Sequence, residues 1–329
     1  MVNMLKIVAA VLTGLVLNQS AFAIDLQGHR GARGLAPENT LPAFATALSV
    51  GVTTLELDTT ITRDGVVVIS HDPTLNPDIT RDANGKWLEK RGPAIYSLTL
   101  TDLQQYDVGR MRPGTSYAKR YQEQKPYDGT PIPRLADLFA LVRKSGNEQV
   151  RFNIETKISP LAPDETPDPE TFARTLIEAI RSEGMTARVT IQSFDWRTLQ
   201  VVQRIAPEIP TAYLSAQQHF LDNIAADNPA GSPWTGGFQY REHGSVPRMV
   251  KATGGRIWSP YYGDLSAGAL REARGLGLHV VVWTVNEPAQ IKRMLDLGVD
   301  GIISDRPDLA RQIMTGRGMT LPLATPIAP

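Results

Sequence analysis

The sequence predicts an α/β protein, and within that class a (β/α)8 TIM barrel with long loops inserted at its catalytic face. Three observations carry the prediction. Short apolar runs alternate with amphipathic stretches along the chain, the pattern of βα units wound around a buried parallel sheet. The apolar runs end in polar and ionisable residues, as barrel strands do when their C-terminal ends open on one mouth. The number of such runs favours closure over an open doubly wound sheet, and 329 residues suit one elaborated barrel rather than two domains.

Residues 1–23 stand apart from the repeat. A weakly positive start through Lys6, an apolar run at 7–17 and Ala21-Phe22-Ala23 make a signal peptide cleaved after Ala23. The run is too short to cross about 30 Å of hydrocarbon. The expected product is therefore exported, to the periplasm or beyond, with no stable membrane insertion.

The barrel domain is expected over 24–314. Candidate strands lie at 25–29, 54–59, 66–70, 150–156, 189–192, 211–214, 256–259, 279–284 and 301–304. These are nine candidates for eight places, and the supernumerary one stays open. Helices are expected at 41–50, 135–144, 169–183, 196–205, 267–276 and 288–297. Asn39-Thr40 opens the first, Gly184 follows the third, and Glu287-Pro288 opens the last. Two excursions, 72–134 and 217–248, interrupt the alternation, and long βα loops of this kind build sites. The Thr/Pro-rich tail 315–329 is expected to be extended or disordered.

Composition narrows the chemistry. With 34 Lys plus Arg against 34 Asp plus Glu, the chain lacks the clustered positive charge that grips nucleic acid. The absence of cysteine removes disulfides, thiolate–zinc sites and thiol nucleophiles together. Any metal must be held by oxygen or imidazole.

The ionisable residues at the strand ends supply such a site. His29-Arg30-Gly31 ends the first strand, Glu56-Leu57-Asp58 the second, His71-Asp72 the third, and Asn153-Ile154-Glu155-Thr156-Lys157 the next. Period-two alternation puts Glu56 and Asp58 on one face with Leu57 opposite, and puts Asn153, Glu155 and Lys157 on a common face. Three carboxylates converging in a barrel mouth repel unless a cation neutralises them. All-oxygen ligands suit one divalent cation, Ca²⁺ or Mg²⁺. Arg30 and Lys157 beside it favour a phosphate group. Two histidines on different strands can serve as acid and base across a phosphorus centre. This is the equipment of a phosphodiesterase acting on a small molecule.

The chain also resembles a known family. Gly28-His29-Arg30-Gly31, Pro37-Glu38-Asn39-Thr40, Glu56-Leu57-Asp58, Asp64-Gly65, His71-Asp72, Glu155-x-Lys157, Gln192-Ser193-Phe194, Trp283-Thr284-Val285-Asn286 and the run from Gly298 to Pro307 are similar, in this order, to the glycerophosphodiester phosphodiesterases of the exported bacterial branch. The resemblance implies a TIM barrel that hydrolyses glycerophosphodiesters to sn-glycerol 3-phosphate and an alcohol. It implies His29 and His71 as the catalytic pair and Glu56, Asp58 and Glu155 as divalent-metal ligands. It further implies Arg30 and Lys157 at the phosphate and Trp283 beside the glycerol. A cyclic-phosphate route and direct attack by water both remain open, as do head group, oligomeric state and choice of metal.

Blander readings stand beside these. Lys157 could merely pair with Glu155, and Trp283 could be core packing. His219 and His243 read as loop residues and His279 as a strand start. Asp300, Asp305 and Arg306 read as fixing the last βα turn. Two other functions use much of the same equipment: a lysophospholipase D acting on acylated diesters, and a non-catalytic glycerophosphodiester-binding protein, which would not need both histidines.

Overall fold

The computed structural model describes residues 24–329; the expected signal peptide lies outside the described residues. Eight parallel strands close into a barrel: β1 Asp25–Gly28, β2 Thr54–Ile61, β3 Arg151–Thr156, β4 Val189–Ser193, β5 Thr211–Ser215, β6 Ile257–Pro260, β7 His279–Val282 and β8 Gly301–Ser304. Neighbours pair in sequence order, and β8 returns to β1 through Asp25↔Gly301 and Gly28↔Ser304. A helix follows each strand before the next begins: α1 Leu41–Val50, α2 Leu135–Lys144, α3 Pro169–Ser182, α4 Trp196–Ile205, α5 Val246–Ala252, α6 Ala267–Gly275, α7 Pro288–Leu297 and α8 Pro307–Gly316.

The ninth candidate strand, expected at 66–70, is the supernumerary one. Val67–Ile69 runs antiparallel to the end of β2, with Thr59 opposite Ile69. Its turn decides this, because Arg63-Asp64-Gly65 folds tightly with Gly65 at φ +80°. A parallel return would need a crossover of about a dozen residues or more.

Helix starts follow local chemistry. Thr40 caps α1 by accepting from the Ala43 amide, and Asp168 caps α3 from Glu170 and Thr171, with Pro169 in the first turn. Phe172, Ala173, Leu176, Ile177 and Ile180 then form the buried stripe of α3, spaced for one helical face. Two of these eight helices, α5 and α8, escaped the sequence reading, although Ser245-Val246-Pro247 and Arg306-Pro307 carry proline start signals.

The main core lies between strands and helices. On β2, Leu55 and Leu57 join Phe44, Phe139, Phe152 and Ile154 in it, leaving Glu56 and Asp58 on the opposite side of the strand. The first excursion packs a small core of its own, Leu75, Ile95, Leu103, Val108 and Ile132, onto Val68 of the antiparallel strand. It therefore holds a fixed shape over the barrel mouth.

Of the two states expected for the tail, extended or disordered, the structure holds the extended one rather than the disordered one. It is tied down: Arg311 Nη1 donates to the Pro322 carbonyl at 2.7 Å, and the Thr325 amide donates to the Leu48 carbonyl at 2.8 Å. Leu321 and Ile327 pack against the core. No helix among the described residues is long and apolar enough to cross a membrane.

Candidate active site

The β1–α1 turn builds one wall of the site. Gly28 and Gly31 are both required there, since a Cβ on Gly28 would stand 2.1 Å from the Gly31 carbonyl oxygen and one on Gly31 2.7 Å from the Ala43 backbone. This crowding, with Gly31 at φ +84° and Arg30 at φ +50°, turns His29 and Arg30 towards the barrel mouth.

His29 Nδ1 lies 2.5 Å from Asp305 Oδ1. Asp305 is held in turn by Arg33 Nε at 2.9 Å, Arg33 Nη2 at 3.1 Å and Asn286 Nδ2 at 2.7 Å. Surrounded by donors, Asp305 stays ionised; burial pushes its pKa up, but Arg33 and His29 carry it well below the usual range. The carboxylate holds the proton of His29 on Nδ1 and leaves Nε2 free, 3.9 Å from Glu56 Oε2. Burial and the Arg33 charge push His29 down to about 4, against the pull of Asp305. Sequence reading gave Asp305 only the last turn. Its place just beyond β8, at the same barrel end as His29, was the available signal.

Glu56, Asp58 and Glu155 meet as the strand register predicts. Asp58 is paired with Glu155 across β2 and β3, and one carboxylate oxygen from each residue lies within 4.8 Å of the other two. All three are buried. Burial and the Asp58 charge raise Glu56 well above the usual range. Burial raises Glu155 to about 7 despite Lys157. Asp58 moves the other way: Arg30, His71 and Lys157 outweigh its burial and hold it low. Three crowded oxygen donors, two of them driven towards protonation, form a hard-ligand set short of positive charge. It fits a divalent cation.

The cations near this trio are partly engaged. Lys157 Nζ lies 2.8 Å from Glu155 Oε1 and 3.7 Å from Asp58 Oδ1. Arg30 Nη1 donates to Glu38 Oε1 at 2.7 Å, and its Nε lies 3.3 Å from Asp58 Oδ2. Asn39, at φ +57°, donates to Asp58 Oδ2 at 2.9 Å. Glu38 also accepts from Tyr117, a residue of the first excursion. Glu38, Asn39, Arg33 and Tyr117 all shape the site without having been singled out as site residues.

His71 stands across the mouth with Nδ1 2.8 Å from Asp72 Oδ1, and Asn76 donates to the other Asp72 oxygen at 2.7 Å. Burial, Arg30 and Lys157 lower its pKa, softened by a side chain still 32% exposed. Trp283 Nε1 donates to the Ser259 carbonyl at 2.9 Å. Its ring meets Phe194 edge-on with centroids 5.2 Å apart. The three remaining histidines lie elsewhere: His219 in the turn of a small hairpin, His279 at the start of β7, and His243 in the short helix Tyr240–His243 rather than a loop.

One cavity of about 460 Å³ gathers these groups. His29, Arg30, Glu56, His71, Glu155, Lys157 and Trp283 all line it; Asp58 is buried and does not. Of the eight residues that the sequence reading nominated, seven therefore face one space. The other wall is apolar, with Ile158, Phe194, Phe220 and Trp234.

Residues 29–309 match the model of the glycerophosphoryl diester phosphodiesterase family. The chain belongs to this family. Membership makes it an enzyme of the phosphodiesterase class. It is 28% identical over 281 residues to a glycerophosphodiester phosphodiesterase of Caldanaerobacter subterraneus, covering 85% of this chain and 93% of the relative. It is 28% identical over 299 residues to that of Bacillus subtilis, covering 88% and 85%. A solved structure from Silicibacter pomeroyi assigned to the glycerophosphoryl diester phosphodiesterases superposes with a TM-score of 0.80 at 34% identity, over 91% of this chain and 95% of that one. An Oleispira antarctica phosphodiesterase, solved with the product sn-glycerol-3-phosphate, shares the fold: its TM-score is 0.64 at 20% identity, over 90% and 98% of the two chains.

Proposed function

We propose that this protein hydrolyses glycerophosphodiesters to sn-glycerol 3-phosphate and an alcohol by acid–base catalysis from His29 and His71, with one Ca²⁺ or Mg²⁺ ion held by Glu56, Asp58 and Glu155. The observation that carries the reading is that two histidines, each tied through Nδ1 to a carboxylate, share one cavity with Glu56 and Glu155, and that Asp58 brings a third carboxylate oxygen within 4.8 Å of theirs.

The bound cation would supply charge stabilisation for the phosphoryl oxygens. His29, neutral and with Nε2 unencumbered, takes the proton of the attacking oxygen, which is water in direct hydrolysis or the neighbouring glycerol hydroxyl in the cyclic-phosphate route. The proton then rests on an imidazolium stabilised by Asp305. His71, with Asp72 at its back, delivers a proton to the departing alkoxide. In the cyclic-phosphate route water then opens the ring in a second step, with the two histidines exchanging roles. A diester anion entering between the two rings raises both pKa values, which favours the charged form that each must pass through. Lys157 and Arg30 orient the phosphate, and Trp283 packs against the glycerol carbons. The leader expected at 1–23 would place this activity outside the cytoplasm.

Release of glycerol 3-phosphate from glycerophosphocholine tests the proposal. Chelation should abolish it, and Ca²⁺ or Mg²⁺ should restore it; full turnover in excess chelator would remove the metal from the reaction. One observation favours a second reading, hydrolysis of lysophospholipids. The apolar wall of the cavity reaches exposed Phe220, with exposed Leu161 on the loop after β3. A panel comparing deacylated with acylated diesters separates the two.

A further inference from the structure

Beneath the acidic trio, three buried amides cross the barrel interior in a continuous chain. Gln27 Nε2 donates to Asp25 Oδ2 at 2.9 Å. Asn153 Nδ2 donates both to Gln27 Oε1 at 2.9 Å and to Gln192 Oε1 at 2.8 Å. Gln192 Nε2 then donates to Glu56 Oε1 at 2.8 Å. All three amides are at most 4% exposed. At the far end Asp25 is pinned by Thr54 Oγ1 at 2.7 Å and Arg151 Nη2 at 3.1 Å.

The polarity of the chain follows from its ends. Asp25 and Glu56 both accept, so each glutamine must turn its nitrogen outward and its oxygen inward. Somewhere between two accepting ends one residue must donate in both directions, and Asn153 is that residue. Its own Oδ1 is buried with no hydrogen-bond partner. A buried acceptor left unpaired is costly, and here both amide hydrogens are committed to the neighbouring glutamines.

We infer that Asn153 and Gln192 are positioning residues for Glu56: the relay fixes which face of the Gln192 amide meets the carboxylate, and so holds Glu56 oriented for a divalent cation. The inference rests on the metal reading proposed above. Groups that hydrogen-bond a ligating carboxylate commonly change metal affinity about 10- to 100-fold when lost.

Asn153→Asp is nearly isosteric but can only accept. Both glutamines must then turn their nitrogens inward, and Gln192 Oε1 faces Glu56. Gln192→Leu removes the donor to Glu56 directly and serves if Asn153→Asp does not fold. Ca²⁺ and Mg²⁺ binding is titrated by calorimetry, with the metal dependence of turnover and the melting temperature of metal-free protein measured in parallel. The expected result is a 10- to 100-fold rise in the dissociation constant and in the half-saturating metal concentration, with kcat at saturating metal within about threefold of wild type. A purely structural role would lower the metal-free melting temperature and leave the half-saturating concentration unmoved, which overturns the inference. So does wild-type affinity in either folded variant. A wild-type protein that binds neither ion sinks the metal reading itself, and the relay with it.

Discussion

Asp305→Asn gives the sharpest test of how the site works. Every polar group around this carboxylate donates to it: His29 on Oδ1, Arg33 on both oxygens, Asn286 on Oδ2. An amide of the same shape must point its NH₂ at one of them. If the NH₂ faces His29, Nδ1 becomes an acceptor, the ring proton moves to Nε2, and His29 can no longer take a proton there. If it faces the other way it meets Arg33 and Asn286, and Asn286 cannot turn freely because its Oδ1 accepts from the Asp305 amide at 2.9 Å. A positioned acid or base contributes about 10²- to 10⁴-fold, and locking the wrong tautomer in a Ser-His-Asp triad costs about 10⁴ in kcat. The expected loss is therefore about 10²- to 10⁴-fold in kcat, with KM within a few-fold. Breaking a buried ion pair costs about 3–5 kcal/mol. Here the lower end applies, because Arg33 keeps Glu38 at 3.6 Å. Steady-state release of glycerol 3-phosphate at saturating metal gives kcat and KM, and thermal unfolding checks the fold. A folded variant turning over within threefold of wild type would show that Asp305 does not set the His29 tautomer.

Three further expectations follow from the same geometry. His29→Ala and His71→Ala should each lose about 10²-fold or more in kcat; near-native turnover in either removes that residue from proton transfer. The metal-free protein should lose stability as pH rises from about 6.5 to 8, above the range in which His29 and His71, both lowered in the folded state, give the opposite slope. Glu155 is raised to about 7 and Glu56 also upward, so the folded state binds protons that the unfolded state releases nearer 4.5, and that advantage vanishes above the folded values. Ca²⁺ or Mg²⁺ should then raise the melting temperature more at pH 8 than at pH 6.5, and a shift independent of pH would contradict this. Phe152→Ala removes a fully buried ring packed edge-on against Phe139 at 4.9 Å and should cost about 3–5 kcal/mol in chemical denaturation, while Glu56, Asp58 and Glu155 keep their positions.

Much of the site was legible because strand alternation is a local property. Glu56 and Asp58 around Leu57, and Glu155 two residues before Lys157, declare a shared face without knowledge of any partner strand. Val67–Ile69 shows the limit: three apolar residues read the same in a parallel and an antiparallel strand, and only the tight turn at Asp64-Gly65 separates them. Helix α8 was missed although Pro307 marks its start, because its stripe is short. Asp305 was undervalued because its partner is 276 residues away in sequence.

By itself the sequence determined the repeat of strand and helix, the hard-ligand character of any metal site and the placing of His29 and His71 at strand ends, since these depend on residue type and on periods of two and 3.6. Only the tertiary structure decided which strand stands outside the barrel, that Asp305 faces His29, that Arg30 shares its charge with Glu38 and Asp58, and that three amides carry polarity from Asp25 to Glu56. The reason is physical. Orientation within a hydrogen-bond network depends on what both ends accept or donate, and closing the barrel is what brings those ends together.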